Sequence, residues 1–344
     1  MSRSLPSTTE APVLAVEGLH ITVNGGATEA VRDVSFSVRA GESVGLVGES
    51  GSGKTLTCRS VLGVLPQGCE VSQGSARLSG AELTALDRRG WERLRGVNLG
   101  AVFQDPASYL NPSLTVGRQL AEPLRVRGGL SRSEARRRAV RLLGSVGLHR
   151  PEEVFHRYPF ELSGGMLQRV LIATAIAGEP ELLVADEATT ALDTVVQAEV
   201  LDLLARLRAE RGLALLLVSH DLAVVAEVCD RILVFYAGEI VEDGPTEQVL
   251  AHPAHPYTEA LLRVASIGDW ERRELAVIPG RPPEAGAAPS GCRFADRCEY
   301  ARAECGAQDL LPLREFGERG ERRTRCVRAG ELALSGTVLQ EVGA

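Results

Sequence analysis

Between residues 13 and 47 the apolar positions come in short runs cut by turn residues: VLAVEGLHITV, NGG, VRDVSFSV, AGE and SVGLV. Runs of this length with that punctuation predict strands joined by hairpin turns. SVGLV leads into GESGSGKT, and KTLTCRSVLGVL continues as a helix expected to stop near Pro66 and Gly68. Residues 71–104 read as further short strands and a turn, ending in LGAVF. From about 107 to 178 the pattern turns helical. SRSE at 131–134 is a capping box that opens a helix to about Ser145, and the basic run RSEARRRAVR within it reads as a solvated helix face.

Strands then alternate with helices. ELLVA (181–185) precedes a long helix over about 194–211, where Val196, Val200, Leu203, Leu204 and Leu207 share a face and Gly212 forms the C-terminal cap. LALLLVS (213–219) is a buried strand and RILVFY-AG-EIVEDG (231–244) a hairpin. Apolar strands alternating with helices require a mostly parallel sheet covered on both faces, so the fold class is α/β. After about residue 265 the texture changes: IPGRPPEAGAAPSG (278–291) reads as a linker or strap, followed by a small cysteine-bearing segment.

Composition narrows the class. The 344 residues suffice for one large domain and an appendage; 44% hydrophobic and 24% charged content are ordinary for a soluble chain. A net charge of -7 argues against a nucleic-acid binder. The first residues lack the apolar stretch of a signal peptide, and no run reaches the length of a membrane span, so a role at a membrane has to come through partner proteins. Seven cysteines, an odd count, do not suggest a disulfide framework. Cys58, Cys69 and Cys229 lie in or beside apolar segments and read as core residues.

The chemistry begins at Gly48, Glu49, Ser50, Gly51, Ser52, Gly53, Lys54 and Thr55, which satisfy G-x-x-x-x-G-K-[ST] between an apolar strand and a helix. Inward-facing N–H groups of such a loop cradle phosphates, Lys54 reaches the β and γ phosphates of a nucleoside triphosphate, and the Thr55 hydroxyl ligates Mg²⁺. At the end of a buried strand, Asp186 is placed to hold that magnesium and Glu187 to polarise the attacking water. Gln104 and His220 also follow apolar strands; Gln104 suits the metal or the water, His220 the γ phosphate. A second glycine loop, LSGGMLQ (162–168), starts an apolar helix and contains no cation.

GESGSGKT, the glutamine of VFQDP, LSGGM, VADEATTALD and VSHD occur in the order of an ABC-type ATPase cassette, which residues 13–260 resemble. The resemblance implies a P-loop NTPase cassette over 13–264: a RecA-like core, an antiparallel β subdomain, and a helical subdomain at about 107–178. It also implies a cysteine-containing extension over 265–344. In that family two cassettes pack head to tail. Ser163, Gly164 and Gly165 then close on the nucleotide of the other chain, with Asp193 at the dimer contact. An isolated chain should therefore bind ATP but hydrolyse it slowly. Val23 stands where many cassettes stack an aromatic on adenine, Ala188 replaces a usual proline, and Leu167 a frequent arginine.

VFQDPASYLNPSLTVG, SGGMLQRV, TTALDTVVQAEV, AHPAHPYTEALL and the tail IPGRPPEAGAAPSGCRFADRC resemble ATP-binding subunits of oligopeptide, dipeptide and nickel importers. That implies a peripheral subunit at the cytoplasmic face of the membrane. Its partners would be two permeases, a second identical or homologous cassette and an extracytoplasmic substrate-binding protein, with no nucleic acid. Nickel or another small solute is the alternative cargo. A soluble ABC ATPase acting on nucleic acid is the more distant rival: only 115 positions separate Gly48 from Ser163, leaving no room for its long coiled-coil insertion.

Cys292, Cys298, Cys305 and Cys326 are separated by five, six and twenty residues. This spacing lacks the close pairs of zinc sites and suits an iron–sulfur cluster better. Relatives with this tail resemble 4Fe-4S carriers; zinc and free thiols remain the alternatives.

Overall fold

The computed structural model describes residues 11–188, 193–265, 277–317 and 320–337. Strands β1 (Leu14–Val23), β2 (Thr28–Val38), β4 (Glu70–Leu78) and β5 (Ala81–Glu82) form an antiparallel sheet in the order β2-β1-β4-β5. The larger sheet contains β3 (Ser43–Val47), β6 (Leu99–Phe103), β7 (Leu182–Asp186), β8 (Ala214–Val218), β9 (Arg231–Tyr236), β10 (Glu239–Pro245), β11 (Arg314–Phe316) and β12 (Arg322–Thr324). Its order is β11-β12-β10-β9-β3-β8-β7-β6. The run β9-β3-β8-β7-β6 is parallel, as expected for strands apolar on both faces; β10, β12 and β11 continue it antiparallel.

Period-two alternation sorts these strands into two cores. Leu182, Val184, Leu216 and Val218 pack with the antiparallel sheet, through Leu14, Ile21 and Val31. Leu183, Ala185, Leu215 and Leu217 face the helices, meeting Val200, Leu204 and Ile172. β3 sits between β8 and β9 with all five residues buried. Its Gly45 allows close helix packing, since a Cβ there would stand 2.4 Å from Val225 Cγ1.

Helices over 106–109, 116–126, 132–145, 151–156 and 164–175 fill the segment expected to be helical. The capping box is present: Ser131 Oγ accepts from the Glu134 N–H while the Ser131 N–H donates to Glu134. Thr194–Arg211 is the long helix, closed by Gly212 at φ 64°.

Three local expectations are corrected. The helix from Lys54 ends at Leu62, before Pro66, because Gly63 turns left-handed (φ 63°) and its N–H returns to the Arg59 and Ser60 carbonyls. Arg88–Leu94, expected as strand or turn, is a helix capped by Asp87, which accepts from the Gly90 N–H at 2.7 Å. Cys69 is half-buried, whereas Cys58 and Cys229 are core residues.

The strap from residue 277 to 291 has no regular secondary structure, but the segment beyond it adds β12 and β11 to the main sheet, Thr324 pairing with Glu242. Among the described residues no helix is long and apolar enough to cross a membrane.

Candidate nucleotide site

β3 delivers the chain into the glycine loop at the middle of the sheet. Gly48, at φ 143°, passes so close to β9 that a Cβ would lie 2.1 Å from the Phe235 carbonyl oxygen. Only glycine serves there. Gly53 (φ 103°) precedes the helix Lys54–Leu62. Lys54 is buried and folds back on its own loop, Nζ donating to Gly48 O at 2.8 Å, Glu49 O at 2.9 Å and Ser52 Oγ at 3.2 Å. Burial lowers its pKa, against the attraction of Glu187, Asp186 and Glu49. Three carbonyl and hydroxyl oxygens thus occupy the ammonium that phosphate oxygens would take over.

β7 ends at Asp186, directly beside that helix. Thr55 Oγ1 donates to Asp186 Oδ1 at 3.2 Å, and Arg59 Nε stands 4.0 Å from Oδ2. Burial raises the Asp186 pKa, opposed by the Thr55 hydrogen bond and Arg59. A Mg²⁺ ion, which prefers oxygen ligands, fits a hydroxyl and a carboxylate so placed. Glu187 adopts a left-handed backbone (φ 51°), costing roughly 1–2 kcal/mol for a non-glycine residue. Its N–H is fixed to Val218 O at 3.1 Å. Oε1 comes within 3.9 Å of His220 Nδ1, so the two residues expected to act on water and γ phosphate are neighbours.

Gln104, following β6, faces the same space. A cavity of about 300 Å³ is lined by Thr55, Arg59, Gln104, Asp105, Asp186 and Glu187, among others. Arg59 was not anticipated; its position one helical turn after Thr55 is the signal that would have found it.

Ser163, Gly164, Gly165 and Asp193 do not line this cavity. They form a separate unit. Ser163 caps the helix Gly164–Ala175, its hydroxyl accepting from the Met166 N–H at 3.4 Å. Asp193 caps the helix Thr194–Arg211, accepting from Val196 N at 3.0 Å. Val196 joins them, since a Cβ on Gly165 would lie 2.6 Å from its Cγ1. The exposed helix start leaves N–H groups and the positive end of the dipole for an anion brought from outside. Residues 189–192 of the intervening TTALD segment lie outside the described residues.

In the tail, Cys292, Cys298, Cys305 and Cys326 line one pocket together with His255, and none forms a disulfide. Burial, followed by the neighbouring thiols, pushes Cys292 up to about 12 and Cys326 to about 11, and raises Cys298. The donor set is that of a thiolate-bound metal. The pocket encloses only about 10 Å³, however, and among the described residues no three ligating side chains are arranged to hold an ion.

Comparison with known proteins agrees with this geometry. Residues 31–190 match the ABC transporter family and residues 241–305 the oligopeptide/dipeptide transporter C-terminal region. Two Brucella abortus proteins, both provisionally named peptide import ATP-binding proteins, are similar over nearly the whole chain. One is 44% identical, covering 92% of this chain and 95% of its own; the other is 45% identical, covering 94% and 98%. The post-hydrolysis dimer of the ATP-binding cassette MJ0796 bound to ADP and Pi superposes with a TM-score of 0.60 at 29% identity, over 68% of this chain and 98% of that one. The cbiO1 subunit of Clostridium perfringens, part of the cbiONQ ABC transporter complex, gives 0.63 at 28% identity, over 70% and 92%. With its phosphate loop, paired carboxylates and transporter-type tail, the chain belongs to the ATP-hydrolysing subunits of the ABC transporter family, in the branch that carries the oligopeptide/dipeptide C-terminal region.

Proposed function

We propose that this chain binds and hydrolyses MgATP to drive import of di- or oligopeptides. The observation that carries the reading is one cavity joining Thr55, Gln104, Asp186 and Glu187, in a chain whose tail matches the peptide-transporter region. Gly48 to Thr55 would hold the phosphates, Thr55, Asp186 and Gln104 the magnesium, Glu187 the water and His220 the γ phosphate. Ser163, Gly164, Gly165 and Asp193, which lie off that cavity, would serve the nucleotide of a second cassette. The partners would be that identical or homologous cassette, two permeases at the cytoplasmic membrane face and an extracytoplasmic binding protein. Nickel or another small solute is the second cargo reading.

Reconstitution with the permeases tests this. ATPase activity should rise about tenfold when the binding protein arrives loaded with peptide, because ordering the second cassette completes both sites. Stimulation by nucleic acid, with none from the permeases, would overturn the transport reading.

The four tail thiols support a further part of the proposal: Cys292, Cys298, Cys305 and Cys326 would hold a 4Fe-4S cluster, or zinc as the alternative. Such a metal would displace the thiol protons and compensate the four thiolates. Protein purified without oxygen should contain iron and sulfide in stoichiometric amounts. Zinc alone would select the alternative, and absence of both metals would remove the site.

A further inference from the structure

The tail grips the phosphate loop itself. Arg297 lies on the short 3₁₀ turn Ala295–Arg297, between Cys292 and Cys298, with a side chain only 4% exposed. Its guanidinium meets Glu49, the second residue of GESGSGKT, in a two-pronged ion pair: Nη1 donates to Oε2 at 2.7 Å and Nη2 to Oε1 at 3.0 Å. The carbonyls of Pro279 and Ile278 accept from Nε at 2.7 Å and Nη2 at 3.2 Å, and the Tyr236 hydroxyl stands 3.3 Å from Nη1. The rings of Tyr236 and Phe294 lie 5.7 and 5.8 Å from its central carbon. Planar, bidentate recognition of this kind suits arginine and not lysine.

A second connection reaches the same residue. The Glu49 N–H donates to the Tyr257 hydroxyl at 2.8 Å, and the Tyr257 N–H donates to His255 Nδ1 at 3.1 Å. His255 Nε2 is 4.0 Å from Cys292 Sγ. Side chain and backbone of Glu49 are therefore both tied to elements that border the four-thiol pocket.

A loop that wraps a triphosphate gains nothing from a carboxylate of its own, and the Glu49 charge is felt at Lys54. Unpaired, that charge would oppose the incoming polyanion across a short, poorly screened distance. Paired with Arg297, it is neutralised and held toward the tail.

Resting on the nucleotide reading above, we propose that Arg297 is a positioning residue for ATP: by clamping and neutralising Glu49, the tail completes the phosphate loop of its own chain. Arg297 touches no reacting atom; all its effect passes through Glu49. The expected ligand is the triphosphate of ATP.

Binding of a fluorescent ATP analogue to the full chain, with Mg²⁺, measures the effect. Arg297→Ala should weaken binding about tenfold, and the deficit should shrink as salt is raised. Arg297→Ala combined with Glu49→Gln should recover most of the loss, because the repelling charge is gone as well. A merely structural arginine predicts the opposite, since the double variant lacks the clamp just as the single does. Wild-type affinity in Arg297→Ala, or a double variant no tighter than the single, overturns the proposal. If Arg297→Ala does not fold, Arg297→Gln with and without Glu49→Gln is judged by the same two criteria. An unaltered chain that bound no nucleotide would sink the nucleotide reading together with this one; an unaltered chain that binds, beside an indifferent Arg297 variant, sinks this one alone.

Discussion

Glu187→Gln should cut steady-state ATP hydrolysis to about a hundredth of the wild-type rate or below, while nucleotide still binds. The substitution keeps the size of the side chain and removes only its ability to take a proton from water. The groups that hold the phosphates stay in place: Lys54 and Thr55 sit on a different element from Glu187, and Asp186 keeps its Thr55 hydrogen bond. The backbone of Glu187 is anchored independently, through its N–H to Val218 O. Because Ser163 and its glycines lie away from their own cavity, ATP that cannot be hydrolysed should hold two chains together across a shared phosphate. Light scattering with ATP and Mg²⁺ should therefore report a dimer for Glu187→Gln and mostly monomer for the unaltered chain. Hydrolysis at the wild-type rate would remove Glu187 from the role of base. A monomer that stays monomeric with bound ATP would remove the shared site.

The elements legible in the sequence are those whose cause is local. β3, β7 and β8 are continuous apolar runs, and buried parallel strands require such runs. The phosphate loop is a contiguous motif, and the strand end at Asp186 fixes the partner carboxylate, so their meeting within 3.2 Å could be anticipated from position. Arg88–Leu94 escaped because seven residues, RRGWERL, are too few to show a period; its one signal is the cap Asp87. β11 and β12, three residues each, exist through pairing, β12 with β10 and β11 with β12, and carry no pattern of their own.

The Arg297–Glu49 clamp is 248 positions apart in sequence and belongs to no motif. The same holds for the rest of the docking. Arg293 meets Glu239, Arg323 meets Asp243, and Arg325 meets Asp33 and the Ile240 carbonyl. Ion pairing between distant segments leaves no periodic trace, so the tail could be recognised by its cysteines but not by how it is attached.

That attachment has a measurable weight at Arg322. Its partner Glu242 is fully buried on β10, where Oε1 accepts from Arg322 Nη2 and from Ala254 N, both at 2.8 Å, and Oε2 accepts from His255 N at 3.0 Å. Arg322→Ala leaves a carboxylate without its counter-charge in the interior, a change that costs about 3–5 kcal/mol. For a chain of 344 residues that corresponds to a melting temperature lower by roughly 4–7 °C. Arg150→Ala is the control, since Arg150 and Glu153 form an exposed pair at 3.4 Å worth under about 1 kcal/mol.

The pH dependence distinguishes this cause from lost packing. Burial already raises the Glu242 pKa, and removing Arg322, which opposes that rise, must raise it further. A carboxyl whose folded pKa lies above its unfolded value binds more protons when folded. The stability of the variant therefore falls as pH climbs from the unfolded value of about 4.3 toward the folded one. The deficit relative to wild type should be smallest in acid and widen toward neutrality, as read by thermal unfolding at several pH values. Arg322→Met with Glu242→Gln, which removes both charges and keeps an acceptor beside the Ala254 and His255 N–H groups, should recover much of the loss. A deficit constant with pH, or below about 1 °C, would mean that Glu242 does not depend on the tail for its charge balance.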